Sequence, residues 1–106
     1  MNGAEVMMVR VYLREREHGL RDLLRYLHEE SAVRGMTMFR GVLGYGSDHV
    51  EHSSALVDLS LDLPVVVEFF DTPARARSIV EHLPPAIDPA HVVWWLAHTG
   101  AEPGVD

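Results

Sequence analysis

The run Pro64-Val65-Val66-Val67-Glu68-Phe69-Phe70-Asp71-Thr72-Pro73 holds a strand and the start of a helix back to back. Its first part is β-branched and aromatic and almost unbroken in apolar residues, the pattern of a strand covered on both faces. Asp71-Thr72-Pro73 then opens a helix, with a capping side chain followed by proline at the first helical position. Downstream, Ala76, Ile79, Val80 and Leu83 share one helical face, Pro84-Pro85 stops the helix, and Asp88-Pro89 makes a turn. Residues 91–99 (His-Val-Val-Trp-Trp-Leu-Ala-His-Thr) read as the last strand.

Upstream the same grammar runs once more. Residues 6–13 (Val-Met-Met-Val-Arg-Val-Tyr-Leu) form a strand that is apolar on both alternating faces except at Arg10. Leu20, Leu23, Leu24 and Leu27 then place one leucine stripe on a helix of about four turns. Asp22 lies early in that helix and Arg34 near its end, the favourable sense for the helix dipole, and Gly35 supplies the stop. Residues 36–43 make the second strand, with Met36, Met38 and Val42 around Arg40 on one face and Thr37, Phe39, Gly41 and Leu43 on the other. Gly44-Tyr45-Gly46 and a polar stretch over residues 47–54 follow, and residues 56–61 alternate as a half-buried segment. The order is β-α-β-β-α-β. It predicts an α+β, ferredoxin-like domain: an antiparallel four-stranded sheet with two helices on one face.

With 106 residues the chain is read as one domain over residues 1–99, followed by a loose polar tail over residues 100–106. Absence of cysteine excludes disulfides and thiolate metal sites. No apolar run approaches the roughly 20 residues that span a bilayer, no leader pattern opens the chain, and the expected compartment is the cytoplasm. Nine basic residues, all arginine, stand against sixteen acidic ones for a net charge of −7. That sign disfavours nucleic acid and anionic membranes as partners, although single arginines can still hold a small anion. Seven histidines would reduce the charge between about pH 7 and pH 6.

Two helices cover only one face of such a sheet, yet the strands are apolar on both. Val65, Val67 and Phe69 oppose Val66 and Phe70, and Val92, Trp94 and Leu96 oppose Val93 and Trp95. At roughly 25 cal/mol per Å², leaving those side chains wet would forgo several kcal/mol. The second face is therefore expected to pack against other copies of the chain.

Several motifs together resemble a known family. Gly35-Met36-Thr37, Arg40-Gly41, Gly44-Tyr45-Gly46, a polar loop with His52, Leu59-Ser60 and Asp62-Leu63-Pro64-Val65-Val66-Val67-Glu68 are similar to the domain of unknown function 190, grouped with the PII-like signalling proteins. The resemblance covers about residues 6–93. It implies a homotrimer of ferredoxin-like subunits with sheets inward. It also implies a small effector, such as an adenine nucleotide, bound in intersubunit clefts. A loop between the second and third strands, the T-loop, would engage a membrane transporter or metabolic enzyme, an allosteric order–disorder device. No activity of the protein's own and no cofactor are implied. Carried onto this chain, the ligand-binding set is Thr37, Arg40, Gly41, Gly44, Tyr45, Gly46 and His52, with Arg40 the anion partner.

This chain departs from the family in its loop, where Val50-Glu51 and Ala55 replace basic residues. It also departs before the last strand, where residues 84–89 (Pro-Pro-Ala-Ile-Asp-Pro) replace a glycine- and lysine-bearing phosphate loop. Both changes argue against a triphosphate and for AMP, a cyclic nucleotide or no nucleotide.

Other readings stand beside these. His49-Val50-Glu51-His52 with Asp48 offers ligands that zinc accepts, but in a loop where no further ligand is fixed, so no metal is expected. Arg40 would alternatively pair with Glu68 across adjacent strands, and Trp94-Trp95 would serve packing rather than base stacking. A small ferredoxin-like isomerase or monooxygenase and a ligand-free structural oligomer are the remaining alternatives, and no catalytic constellation supports the first.

Overall fold

The computed structural model describes residues 3–44, 52–53 and 63–101. Strand β1 (Glu5–Arg14) leads into helix α1 (His18–Arg25), which continues through a π-helical turn, Tyr26–Glu30. Strand β2 (Met36–Arg40) follows, then a two-residue ribbon of β3 (Leu43–Gly44) and β4 (His52–Ser53). Strand β5 (Pro64–Asp71), helix α2 (Pro73–Glu81) and strand β6 (Val92–His98) complete the order. The main sheet is antiparallel in the order β2-β5-β1-β6, the expected split βαβ plan. Among the described residues no helix is long and apolar enough to cross a membrane.

Alternation decides which half of each strand enters the core. Met7, Val9, Val11 and Leu13 of β1 stand opposite Asp71, Phe69, Val67 and Val65 of β5, and all eight are buried. Leu20, Leu23 and Leu27 from the first helical segment and Ala76 and Ile79 from α2 close over them. Thr72 caps α2 as its sequence requires, its side chain accepting from the Arg75 amide. Asp71 is the one buried charge among the described residues. Its carboxylate accepts from the Thr72 amide at 2.8 Å and from Arg75 Nε at 3.0 Å, which offsets its desolvation.

Three expectations need correction. The first helix ends before Gly35: Ser31 N donates to Tyr26 O at 2.9 Å across the π turn, and Ala32 reverses the chain with φ 50°. Arg34 consequently lies beyond the helix, and Arg25 is the basic residue in the last turn of α1. The second strand is broken at Gly41, where Gly41 N donates to Pro64 O at 2.7 Å and the chain leaves the ladder before β3. The segment over residues 56–61 and the tail from residue 102 lie outside the described residues.

Candidate functional site

β2 is the outer strand on one side of the sheet, and two of the expected ligand-binding residues sit on it. Thr37 is in register with Glu68 and Arg40 with Val65. Paired residues in an antiparallel ladder share a face and successive residues alternate, so the two point to opposite sides. Thr37 stands with Glu68 on the face that the helices leave open, and Arg40 stands with Val65 on the helix side. Both are exposed. A ligand touching both must wrap the outer edge of β2.

Arg40 Nη2 donates to Glu15 Oε1 in an ion pair between β2 and the end of β1. A guanidinium has five N–H donors and a single carboxylate takes at most two of them, so Arg40 can hold an anion beside Glu15. The alternative pairing of Arg40 with Glu68 does not form. Arg10 stands directly opposite Glu68 on β1, and Arg10 Nε lies 2.6 Å from Glu68 Oε2. Register gives Glu68 to Arg10 and sends Arg40 to the other face.

Gly41 has a packing role: a Cβ there would sit 2.9 Å from Pro64 Cγ, so only glycine lets the chain close against β5. Gly44 pairs with His52 across the β3–β4 ribbon, which brings His52 to the base of the glycine-rich turn. Tyr45, Gly46 and the rest of the expected T-loop, including His49 and Asp48, lie outside the described residues. Among the described residues no group of three His, Asp or Glu side chains is placed to hold a metal ion.

Sequence reading missed two features. On the open face, the guanidinium carbon of Arg10 lies 5.5 Å from the Trp95 ring centroid, so Arg10 is held by Glu68 on one side and an aromatic face on the other. The hydrogen bond to Glu68, followed by one to Tyr12, raises its pKa further above the ordinary arginine value, so it is charged at every accessible pH. Its signal was visible: Arg10 is the lone charge in an apolar strand. The second feature is Glu15, which also lines a hollow of about 840 Å³ at the β1–α1 turn, with Arg16, His18 and Arg21 among its other walls. Nothing in the sequence singled it out, because its partner is 25 residues away.

Around the Arg10–Glu68 pair the open face exposes Tyr12, Phe39, Phe70, Val93 and Trp95. The charged pair therefore sits within an exposed apolar surface.

Comparison with known proteins agrees with this architecture. The model of the DUF190 family, described as an uncharacterized ACR, matches residues 6–98. A UPF0166 protein of Aquifex aeolicus (strain VF5) is 38% identical over 64 residues, 60% of this chain; the match spans 64% of that protein's length. Among solved structures, CPII from Thiomonas intermedia K12 bound to ADP and bicarbonate superposes with a TM-score of 0.61 at 19% identity, covering 93% of this chain and 92% of that one. The same nitrogen regulatory PII-like protein bound to ADP, AMP and bicarbonate gives a TM-score of 0.65 at 18% identity, with 93% and 92% covered. At such identities the likeness is one of fold. The chain belongs to the DUF190 family and has the fold of the PII-like signalling proteins.

Proposed function

We propose that this protein is a cytoplasmic PII-like regulator: a homotrimer that binds a small effector in its intersubunit clefts and controls a transporter or enzyme through its T-loop. It works by binding, without turnover of its own. The open sheet face carries this reading, because Tyr12, Phe39, Phe70 and Trp95 stay wet in a single chain and need sister copies to cover them. Packing three such faces inward leaves clefts at the sheet edges, where β2 presents Thr37 and Arg40. Support for the ligand class comes from CPII, a protein of the same fold bound to ADP, AMP and bicarbonate.

The net charge of −7 and the single exposed arginine of β2 favour a ligand with few negative charges, AMP or a cyclic nucleotide before ATP. Arg40 would take the phosphate, with Glu15 holding its guanidinium in place until then. The Gly44–His52 ribbon at the foot of the loop would pass occupancy on to the T-loop.

The test is native mass spectrometry, followed by thermal unfolding with AMP, ADP and cyclic AMP at millimolar concentration. The expected result is a trimer whose Tm rises with at least one nucleotide; a ligand at about 100 times its Kd stabilises by roughly 2.7 kcal/mol. Arg40→Ala should weaken that binding roughly tenfold or more, as expected for loss of a charge-assisted hydrogen bond. A monomer at every concentration overturns the assembly, and a Tm unmoved by all three nucleotides overturns the ligand class.

A further inference from the structure

A residue other than glycine stays in the left-handed region only where the structure around it fixes the chain from several sides. Among the described residues Ala32 is the one non-glycine residue with a positive φ, 50°, and it stands where the first helical segment gives way to the approach to β2. Three hydrogen bonds hold that turn from within: Ser31 N to Tyr26 O at 2.9 Å, Ser31 Oγ to Leu27 O at 3.1 Å and Val33 N to Leu27 O at 3.3 Å. A fourth comes from the other half of the molecule. Arg75, in the first turn of α2, donates from Nη2 to the Ser31 carbonyl oxygen at 2.6 Å.

Asp71 aims that guanidinium. Arg75 Nε lies 3.0 Å from Oδ2 of Asp71, the last residue of β5, whose Oδ1 accepts from the Thr72 amide at 2.8 Å. The Asp71 side chain is buried and that of Arg75 is 52% exposed, so the carboxylate is the fixed partner and the arginine the adjustable one. Helical segments end in carbonyls with no donor of their own, and a cation there also suits the helix dipole. Arg75 supplies both to the end of the first helical segment. Two acceptors are met by two different nitrogens of one planar group, a geometry that a lysine ammonium cannot copy.

The bridge acts on β2. That strand begins at Met36, four residues past Ala32, and its first ladder pair is Met36 with Phe69, two residues before Asp71. Thr37, Met38, Phe39 and Arg40 are all exposed in the chain, and a strand with no strongly buried face is weakly fixed by its own side chains. β2 is pinned at its ends instead, by the Gly41–Pro64 hydrogen bond at one and by the Ala32 turn at the other. We infer that Arg75 is a positioning residue for β2: by bridging Asp71 to the Ser31 carbonyl it holds the left-handed turn at Ala32, and so sets where Thr37 and Arg40 stand against β5. The link to Thr37 and Arg40 as ligand residues rests on the effector-binding reading above; the clamp on β2 does not.

Hydrogen exchange of the full chain without ligand, read on peptides covering residues 33–40 and 73–81, tests the clamp. Arg75→Lys keeps the charge and removes the two-nitrogen bridge, and should speed exchange over 33–40 about tenfold or more while 73–81 changes less than about threefold. Adding Ala32→Gly, which makes the left-handed turn less costly, should bring 33–40 back to within about threefold of the Ala32→Gly single variant. A residue that served only to start α2 would move 73–81 alone or both peptides alike, and either result overturns the inference. An unmoved 33–40, or a double variant with no recovery, overturns it too. With AMP as the probe, Arg75→Lys should raise the Kd about threefold or more and Ala32→Gly should restore it; an unchanged Kd beside a loosened β2 overturns the positioning of Thr37 and Arg40. A wild-type protein that binds no nucleotide removes the effector reading, and the exchange result still decides the clamp.

Discussion

Tyr26 ties the first helical segment to the second: its hydroxyl donates to the Ile79 carbonyl oxygen at 2.9 Å. Burial raises the phenol pKa above its ordinary value near 10, and the Glu30 carboxylate adds to the shift. An acid whose folded pKa is raised contributes stability that is complete below its unfolded pKa and is lost as pH rises through the folded one. Unfolding midpoints in urea should therefore fall above about pH 10 in the wild type, and Tyr26→Phe should flatten that alkaline decline. At neutral pH the same substitution should cost about 1 kcal/mol for the lost hydrogen bond. At this scale the sequence marks Arg10 and Arg40 as the charges worth explaining, but not their partners. That Glu68 goes to Arg10 and Glu15 to Arg40 is settled only in the fold, because the two arginines differ in face, and a face depends on where the ladder begins.

The helical segment that α1 begins stops at Glu30, five residues before the glycine that the sequence offers. Ala32 takes the left-handed conformation, with φ 50°, which costs an L-residue about 1–2 kcal/mol. Ala32→Gly should relieve that strain and, net of the greater chain entropy of glycine, raise stability by roughly 0.5–1 kcal/mol. Gly35→Ala should be near neutral, since Gly35 has no positive φ and a Cβ there meets nothing within 4 Å. Denaturant midpoints at unchanged m-value check both. The capped start of α2 was legible because Thr72 and Pro73 act on the adjacent backbone alone. The end of the first helical segment was not, because the π turn is set by packing Leu27 into the core and by the Tyr26 tie to α2. Hydrogen bonds at a helix end are cheap to rearrange when tertiary contacts require it.

Taken whole, the molecule has one finished side and one unfinished side. Helices bury Val9, Val11, Val67 and Phe69, while Tyr12, Phe39, Phe70 and Trp95 lie open behind them. If sister copies cover that side, unfolding is coupled to dissociation, and Tm should climb with protein concentration instead of staying constant. Scans across two decades of concentration check this. Alternation and capping settled the order of elements, the two-sided strands and the family motifs, because those signals live within about ten residues of one another. Folding alone decided which arginine meets which carboxylate, that Gly41 serves to pack against Pro64, and that both outer strands carry undefended apolar edges. The physical reason is that a strand's pattern states only that two faces are apolar. Which neighbours lie beside it, and which edge is left without one, is fixed by long-range pairing that no local run of residues records.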